Sequence, residues 1–88
     1  GDQFNAYVVP NPVTGIATLY FTMEKSSQFR ASIINLMGVE MGVIIDKQIM
    51  ESGQHKITFD TRELQSGIYF INLTDAAFNK RVKFVKVD

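Results

Sequence analysis

The sequence predicts an all-β protein, an immunoglobulin-like antiparallel β-sandwich of six or seven short strands. Apolar and polar residues alternate over short runs, and β-branched and aromatic residues dominate these runs. Clusters of Gly, Pro, Asn, Asp and Ser separate the runs about every 8–12 residues, the spacing typical of such sandwiches. No stretch sustains the period of an amphipathic helix.

Turn-forming residues end each predicted strand before the next one begins. Two prolines around Asn11 interrupt the first apolar run, because proline cannot donate a backbone hydrogen bond. After the fifth strand we expect a single helical turn, capped by Asp60 with Glu63 three residues later. The predicted strands cover residues 4–9, 16–23, 29–36, 43–50, 55–60, 67–73 and 79–87.

The strand after Ser66 and Gly67 is predicted to lie inside a sheet. A serine-glycine pair signals a turn, and glycine allows a sharp change of chain direction. Both faces of residues 68–73 begin with apolar side chains, which favours a strand covered on both sides over an edge strand. The predicted fold is organised around this strand.

Length and composition indicate one domain over residues 1–88 and exclude several classes of protein. Nine basic residues balance nine acidic ones, so net charge does not favour nucleic acid or an anionic membrane as a partner. Without cysteine, disulfides and thiolate metal sites are excluded. We find no apolar run near the ~20 residues of a membrane span and no signal peptide. Because the chain starts abruptly at Gly1, we interpret it as a piece of a longer protein.

Catalytic and cofactor sites are not predicted. The single histidine, His55, lies on an alternating strand just after a turn, whereas a hydrolytic site needs a base beside a nucleophile. Asp60 and Glu63 are interpreted as turn and cap residues, and the other aspartates lack the spacing of a calcium loop. We therefore expect a protein that is not an enzyme and that holds neither metal nor cofactor.

Aromatic side chains leave a sugar-binding face open as an alternative. Tyr7, Tyr20 and Tyr69 are the candidates, although positions in the core are favoured for all three. Asn72 also begins an Asn-Leu-Thr sequence of the N-glycosylation type, which is too short a pattern to mean much alone.

The last predicted strand interleaves the cations Lys83 and Lys86 with apolar residues. One interpretation is edge protection, because lysines discourage a sheet edge from pairing with another chain. The other is a docking strand, which a partner reads by adding a strand to it and by its charges. From the residues alone, edge protection is the favoured interpretation.

Five short stretches stand out, each marked by glycine, proline or lysine. They read YVVPNPVTG at 7–15, IINLMG at 33–38, GQHKI at 53–57, LQSGIYF at 64–70 and KFVK at 83–86. In order and spacing they resemble the landmarks of the C-terminal sorting domains of the type IX (Por) secretion system. One stretch would be a weak match, whereas five in register over residues 7–88 are a specific one.

The resemblance implies a non-catalytic export signal. Such domains sit at the C-terminus of proteins that cross the outer membrane of certain Gram-negative bacteria. The implied partners are an outer-membrane translocon and a sortase-like cysteine protease, which cuts upstream of the domain and attaches the cargo to surface lipopolysaccharide. The implied localisation is the periplasm in transit to the outer-membrane surface or the extracellular space.

The resemblance also implies roles for individual residues. With it, docking becomes the favoured interpretation of the last strand, with Lys83 and Lys86 as contacts. The residues implied in translocon recognition are Lys83, Phe84, Val85, Lys86, Val87 and Asp88. The residues that match turn landmarks are Pro10, Asn11, Pro12, Gly15, Gly38, Gly53 and Gly67, and Tyr69 matches a core position.

Two expectations remain beside this interpretation. The alternative function is an accessory immunoglobulin-like module that binds glycan or protein at the cell surface. We also expect the domain to form a homodimer or to swap a terminal strand, because small sandwiches with free edges are prone to both.

Overall fold

Two antiparallel sheets make up the computed structural model, which describes residues 5–88. The smaller sheet has the strand order β1-β2-β5 and the larger one the order β4-β3-β6-β7. The strands are β1 (Ala6–Val9), β2 (Ile16–Met23), β3 (Ser27–Ile34), β4 (Glu40–Met50), β5 (Gly53–Asp60), β6 (Gly67–Thr74) and β7 (Asn79–Lys86). The predicted all-β, immunoglobulin-like sandwich is thereby confirmed.

The sequence predicted a helical turn between β5 and β6, but residues 61–64 form a non-helical turn. The Leu64 amide donates to the Thr61 carbonyl at 2.9 Å, which closes the turn. The Asp60 carboxylate accepts hydrogen bonds from the Arg62 amide and guanidinium instead of capping a helix with Glu63. No helix occurs in residues 5–88, and Phe4 of the predicted first strand lies outside the described residues.

β6 lies inside the larger sheet, between β3 and β7, as the apolar residues on both of its faces predicted. Its inward side chains enter a core that also receives β2, β3 and β7. Phe29 and Phe84 are fully buried there, and the Tyr69 ring stacks on Phe84 with 5.7 Å between the ring centroids. Burial of such large apolar side chains is the dominant force that holds the two sheets together.

Four strands are sheet edges: β1 and β5 in the smaller sheet, β4 and β7 in the larger one. β4 is irregular, because its pairing with β3 shifts register and Lys47 adopts a φ of 55°. Bulges of this kind twist an edge and make it a poorer template for another strand. Even so, β4 exposes Met41, Val43 and Ile49 to solvent.

Residues 5–88 contain no helix that could span a membrane.

Candidate functional site

The alternation of β7 sends its two motif lysines to opposite faces of the larger sheet. Lys83 pairs with Phe70 on the outer face and is exposed. Phe84 and Lys86 point inward and are buried, with Lys86 only 3% exposed. Two residues three apart on a strand always face opposite ways, so this spacing was a signal in the sequence. The two lysines that the sequence singled out therefore lie on opposite faces of the sheet.

The outer edge of β7 is not open along its whole length. The segment 11–13 runs beside it, and Val13 forms a parallel bridge with Lys86. The Val13 amide donates to the Val85 carbonyl at 2.9 Å, and the Val87 amide donates to the Val13 carbonyl at 2.9 Å. The Val13 side chain is fully buried. The early loop therefore acts as a short additional strand against the end of the chain.

Asn11 extends this contact with its side chain. Its amide nitrogen donates to the Lys83 carbonyl at 3.3 Å, and its amide oxygen accepts from the Val85 amide at 2.9 Å. The flanking Pro10 and Pro12 have no N–H of their own, and the asparagine amide supplies both a donor and an acceptor. We call this arrangement the clasp: Asn11 and Val13 bonded to the backbone of residues 83–87, at the end of β7 and just after it.

The same early loop is tied to the β5–β6 connection. The Thr61 amide and hydroxyl both donate to the Gly15 carbonyl, at 3.0 and 2.5 Å. Thr61 is completely buried, so this carbonyl and hydroxyl satisfy each other away from water. The connection is thereby held against the loop that forms the clasp.

Lys86 also contacts the β5–β6 connection. Its Nζ donates to the Leu64 carbonyl at 2.9 Å and lies 3.8 Å from an Asp88 carboxylate oxygen. Burial of an ammonium group is costly unless the group is hydrogen-bonded, and the Leu64 carbonyl provides that bond. Lys86 therefore joins the end of β7 to the turn before β6.

A carboxylate beside this junction has an altered acidity. Hydrogen bonds from the Arg62 side chain and then its backbone amide lower the pKa of Asp60 to about 2. The charge of Lys86 contributes in the same direction, as the smallest of the causes. Asp60 therefore stays ionised well below neutral pH.

The six residues implied in recognition are not equally accessible. Lys83 and Asp88 are exposed, Val87 is 38% exposed, and Val85 is half-buried. Phe84 and Lys86 are enclosed. In the folded domain Lys83 and the last two residues are therefore the most accessible members of this set.

The residues of the other landmarks are spread over turns and core. Gly38 and Gly53 adopt positive φ values of 81° and 115°, a region where glycine is favoured. Gly67 opens β6, and Tyr69 is buried with its hydroxyl donating to the Gln65 carbonyl at 2.7 Å. Pro10, Asn11, Pro12 and Gly15 all belong to the loop that forms the clasp.

Beside Lys83, the outer face of the larger sheet is mixed apolar and basic. Register places Val85 opposite Ile68 and Arg81 opposite Asn72. Ile68 is 39% exposed, and Arg81 is also exposed. Asn72 lies in the middle of an interior strand, and its side-chain oxygen is buried without a hydrogen-bond partner. This face offers cations and apolar side chains together.

His55 has the position of a strand residue. Its ring stacks on Phe21 at 5.2 Å, and its Nε2 lies 2.6 Å from the Glu51 carbonyl oxygen. Among residues 5–88 no three His, Asp or Glu side chains are close enough to hold a metal ion.

Tyr7 and Tyr20 correct an expectation, because neither lies in the core. They stack on each other across β1 and β2, with 5.1 Å between ring centroids and 12° between ring planes. Tyr7 is 55% exposed. Their neighbours Val8 and Leu19 take the inward positions, and alternation then turns both tyrosines outward. Of the three tyrosines, only Tyr69 lies in the core.

Comparison with known proteins agrees with these landmarks. A family model described as the secretion system C-terminal sorting domain matches residues 7–87, nearly the whole chain. No curated protein and no solved structure matches the chain. The matched region runs from the first strand through the clasp to the end of β7. The chain therefore belongs to the secretion system C-terminal sorting domains and is a C-terminal sorting signal for type IX secretion.

Proposed function

We propose that an outer-membrane translocon recognises this domain in its folded form, through exposed side chains of β7 centred on Lys83. The domain travels through the periplasm, and its parent protein reaches the outer-membrane surface or the extracellular space. There a sortase-like cysteine protease cuts upstream of the domain and attaches the parent protein to the surface.

One observation carries the choice of Lys83. Its side chain stands on the outer face of the larger sheet, while the backbone around it is engaged by the clasp. A partner that meets this end of the domain therefore reads side chains and not an open strand edge. Lys83 and Arg81 are both cations, so acidic groups on the partner are the complementary chemistry.

The domain itself is proposed to be non-catalytic. Three of its carboxylates have structural partners: Asp60 is bonded to Arg62, Glu40 to Arg30, and Asp75 to the Ser27 hydroxyl at 2.6 Å. A general base or nucleophile must instead be aimed at a substrate position. These contacts support a role in which the surface is recognised and no bond is made or broken.

The test is export of a periplasmic reporter fused ahead of the domain, in a bacterium that has the type IX system. Lys83→Glu reverses the charge at the proposed contact, and we expect the reporter to stay in the periplasm. Lys56→Glu is the matched control, because Lys56 is an exposed strand lysine on the other sheet. Surface display of the Lys83→Glu fusion at the native level would contradict the proposed contact.

The stacked tyrosines favour the accessory sugar-binding module as a second candidate. Tyr7 and Tyr20 lie on an outer sheet face beside Lys56, an arrangement that offers an aromatic surface with a polar neighbour. Glycan-array binding that is lost in Tyr7→Ala but kept in Lys83→Glu, a substitution at an exposed position, would support this candidate. Such a result would count against the sorting signal only if reporter export also failed.

A further inference from the structure

We propose that Lys86 is a positioning residue and not a partner contact: its ammonium holds the end of β7 in the clasp and thereby presents Lys83. This inference rests on the proposed function for its consequence in export. Its structural part stands on contacts within the domain.

The first step is the inaccessibility of Lys86. The residue is 3% exposed, and its Nζ donates to the Leu64 carbonyl within the turn before β6. A direct contact would require the ammonium to leave this carbonyl and the end of β7 to move. In the folded domain the group that carries the charge faces inward.

The second step is the engagement of the β7 edge. Four hydrogen bonds occupy its outward backbone groups: the Lys83 carbonyl, the Val85 amide and carbonyl, and the Val87 amide. Addition of a partner strand needs these same groups. The clasp therefore closes this end of β7 to strand addition and leaves its side-chain face for recognition.

The third step is that these contacts link the end of β7, the β5–β6 connection and the loop between β1 and β2 to one another. Lys86 bonds the Leu64 carbonyl, and the Leu64 amide bonds the Thr61 carbonyl. Thr61 bonds the Gly15 carbonyl, and Val13 of the same loop bonds the residues on either side of Lys86. Three segments distant in sequence thereby meet at Lys86. Loss of its ammonium removes the hydrogen bond that joins the end of β7 to the β5–β6 connection.

The experiment measures hydrogen exchange at the amides of Val85 and Val87, which both donate to the clasp. Lys86→Met keeps a long apolar side chain and removes the ammonium. Asn11→Leu loosens the clasp without touching Lys86. Lys86→Gln, which also removes the ammonium, serves if Lys86→Met does not fold. Lys83→Glu is the surface control.

We expect exchange at both amides to be about tenfold faster in Lys86→Met, as local opening becomes easier. In Asn11→Leu the Val85 amide loses its acceptor outright, so there the Val87 amide reports the opening, with the same tenfold increase expected. In Lys83→Glu we expect native exchange rates. In the reporter assay all three variants should lose export. Lys86→Met and Asn11→Leu should do so because the clasp is loosened, and Lys83→Glu because the proposed contact is changed.

Two results would overturn the proposal. If Lys86→Met abolishes export while both amides keep native exchange, Lys86 is itself a contact. If either clasp variant exchanges faster but exports normally, the clasp does not position the signal. Failure of the native fusion to be exported would count against the proposed function, and the exchange rates would still decide the structural role of Lys86.

Discussion

Asn11 and Val85 are joined by a 2.9 Å hydrogen bond that spans 74 residues of sequence, with the Val85 amide donating to the Asn11 side-chain oxygen. The Pro-Asn-Pro landmark near the start of the domain and the lysine-bearing landmark at its end are therefore one structural unit. The two landmarks are far apart in sequence but in direct contact in the folded domain.

Thr61 should contribute to stability through its hydroxyl. Thr61→Val keeps the shape of the side chain but leaves one bond to the Gly15 carbonyl instead of two. We expect a loss of about 1–2 kcal/mol in the free energy of unfolding, measured in urea. Thr58→Val, at an exposed position of β5, should change it by less than about 0.5 kcal/mol. Equal effects of both substitutions would contradict the burial argument.

Gly38 and Gly53, which have positive φ values, should resist substitution. A Cβ at Gly38 or Gly53 meets no atom within 4 Å, so the cost of alanine there comes from backbone strain alone. We expect each to destabilise the domain by about 1–2 kcal/mol. Gly42→Ala is the control, because its Cβ would make only an ordinary 3.9 Å contact with Ile33 and its φ is not positive. Thermal unfolding would compare the three variants.

The pH dependence of stability should include Asp60. Its pKa is lowered to about 2 in the folded state, mainly by the Arg62 side chain. A lowered pKa means that the contribution is present above the unfolded pKa of about 4 and is lost as pH falls toward 2. In Arg62→Met, NMR titration of the Asp60 carboxyl should show the pKa rising toward its ordinary value. Arg81→Met should leave the Asp60 titration unchanged.

Self-association stays a prediction, and we expect the exposed apolar side chains of β4 to be its site. The outer side of β4 has no neighbouring strand and exposes Val43, whereas the end of β7 is closed by the clasp. We expect Val43→Lys to reduce concentration-dependent sedimentation. Ile16→Lys is the control, because Ile16 is equally apolar and exposed but lies on β2, which is paired on both sides. A monomer at all concentrations would contradict the expectation.

Local patterns predicted much of this fold. The positions of the strands followed from alternation, and the interior location of β6 followed from apolar residues on both of its faces. The turn after Asp60 was wrongly expected to be helical, because an aspartate that can cap a helix can equally accept the amide two residues on in a turn, as Asp60 does from Arg62.

The site was harder to predict because it depends on contacts between distant segments. Nothing local to Asn11 indicates which strand its side chain will bond, and nothing local to Lys86 indicates that the Leu64 carbonyl will be in reach. The opposite directions of Lys83 and Lys86 were predictable from their spacing on a strand. The outward positions of Tyr7 and Tyr20 were likewise readable from the alternation of β1 and β2.

The closing bonds of the last strand come from the first loop of the domain. A synthetic peptide of residues 79–88 would have the same sequence as the last strand. It would lack the carbonyls of Val13 and Leu64, which accept hydrogen bonds from the end of that strand in the folded domain. The arrangement with Lys83 outside and Lys86 inside thus depends on contacts between segments near both ends of the domain. A receptor that binds this arrangement would therefore distinguish the folded domain from a truncated or partly folded chain.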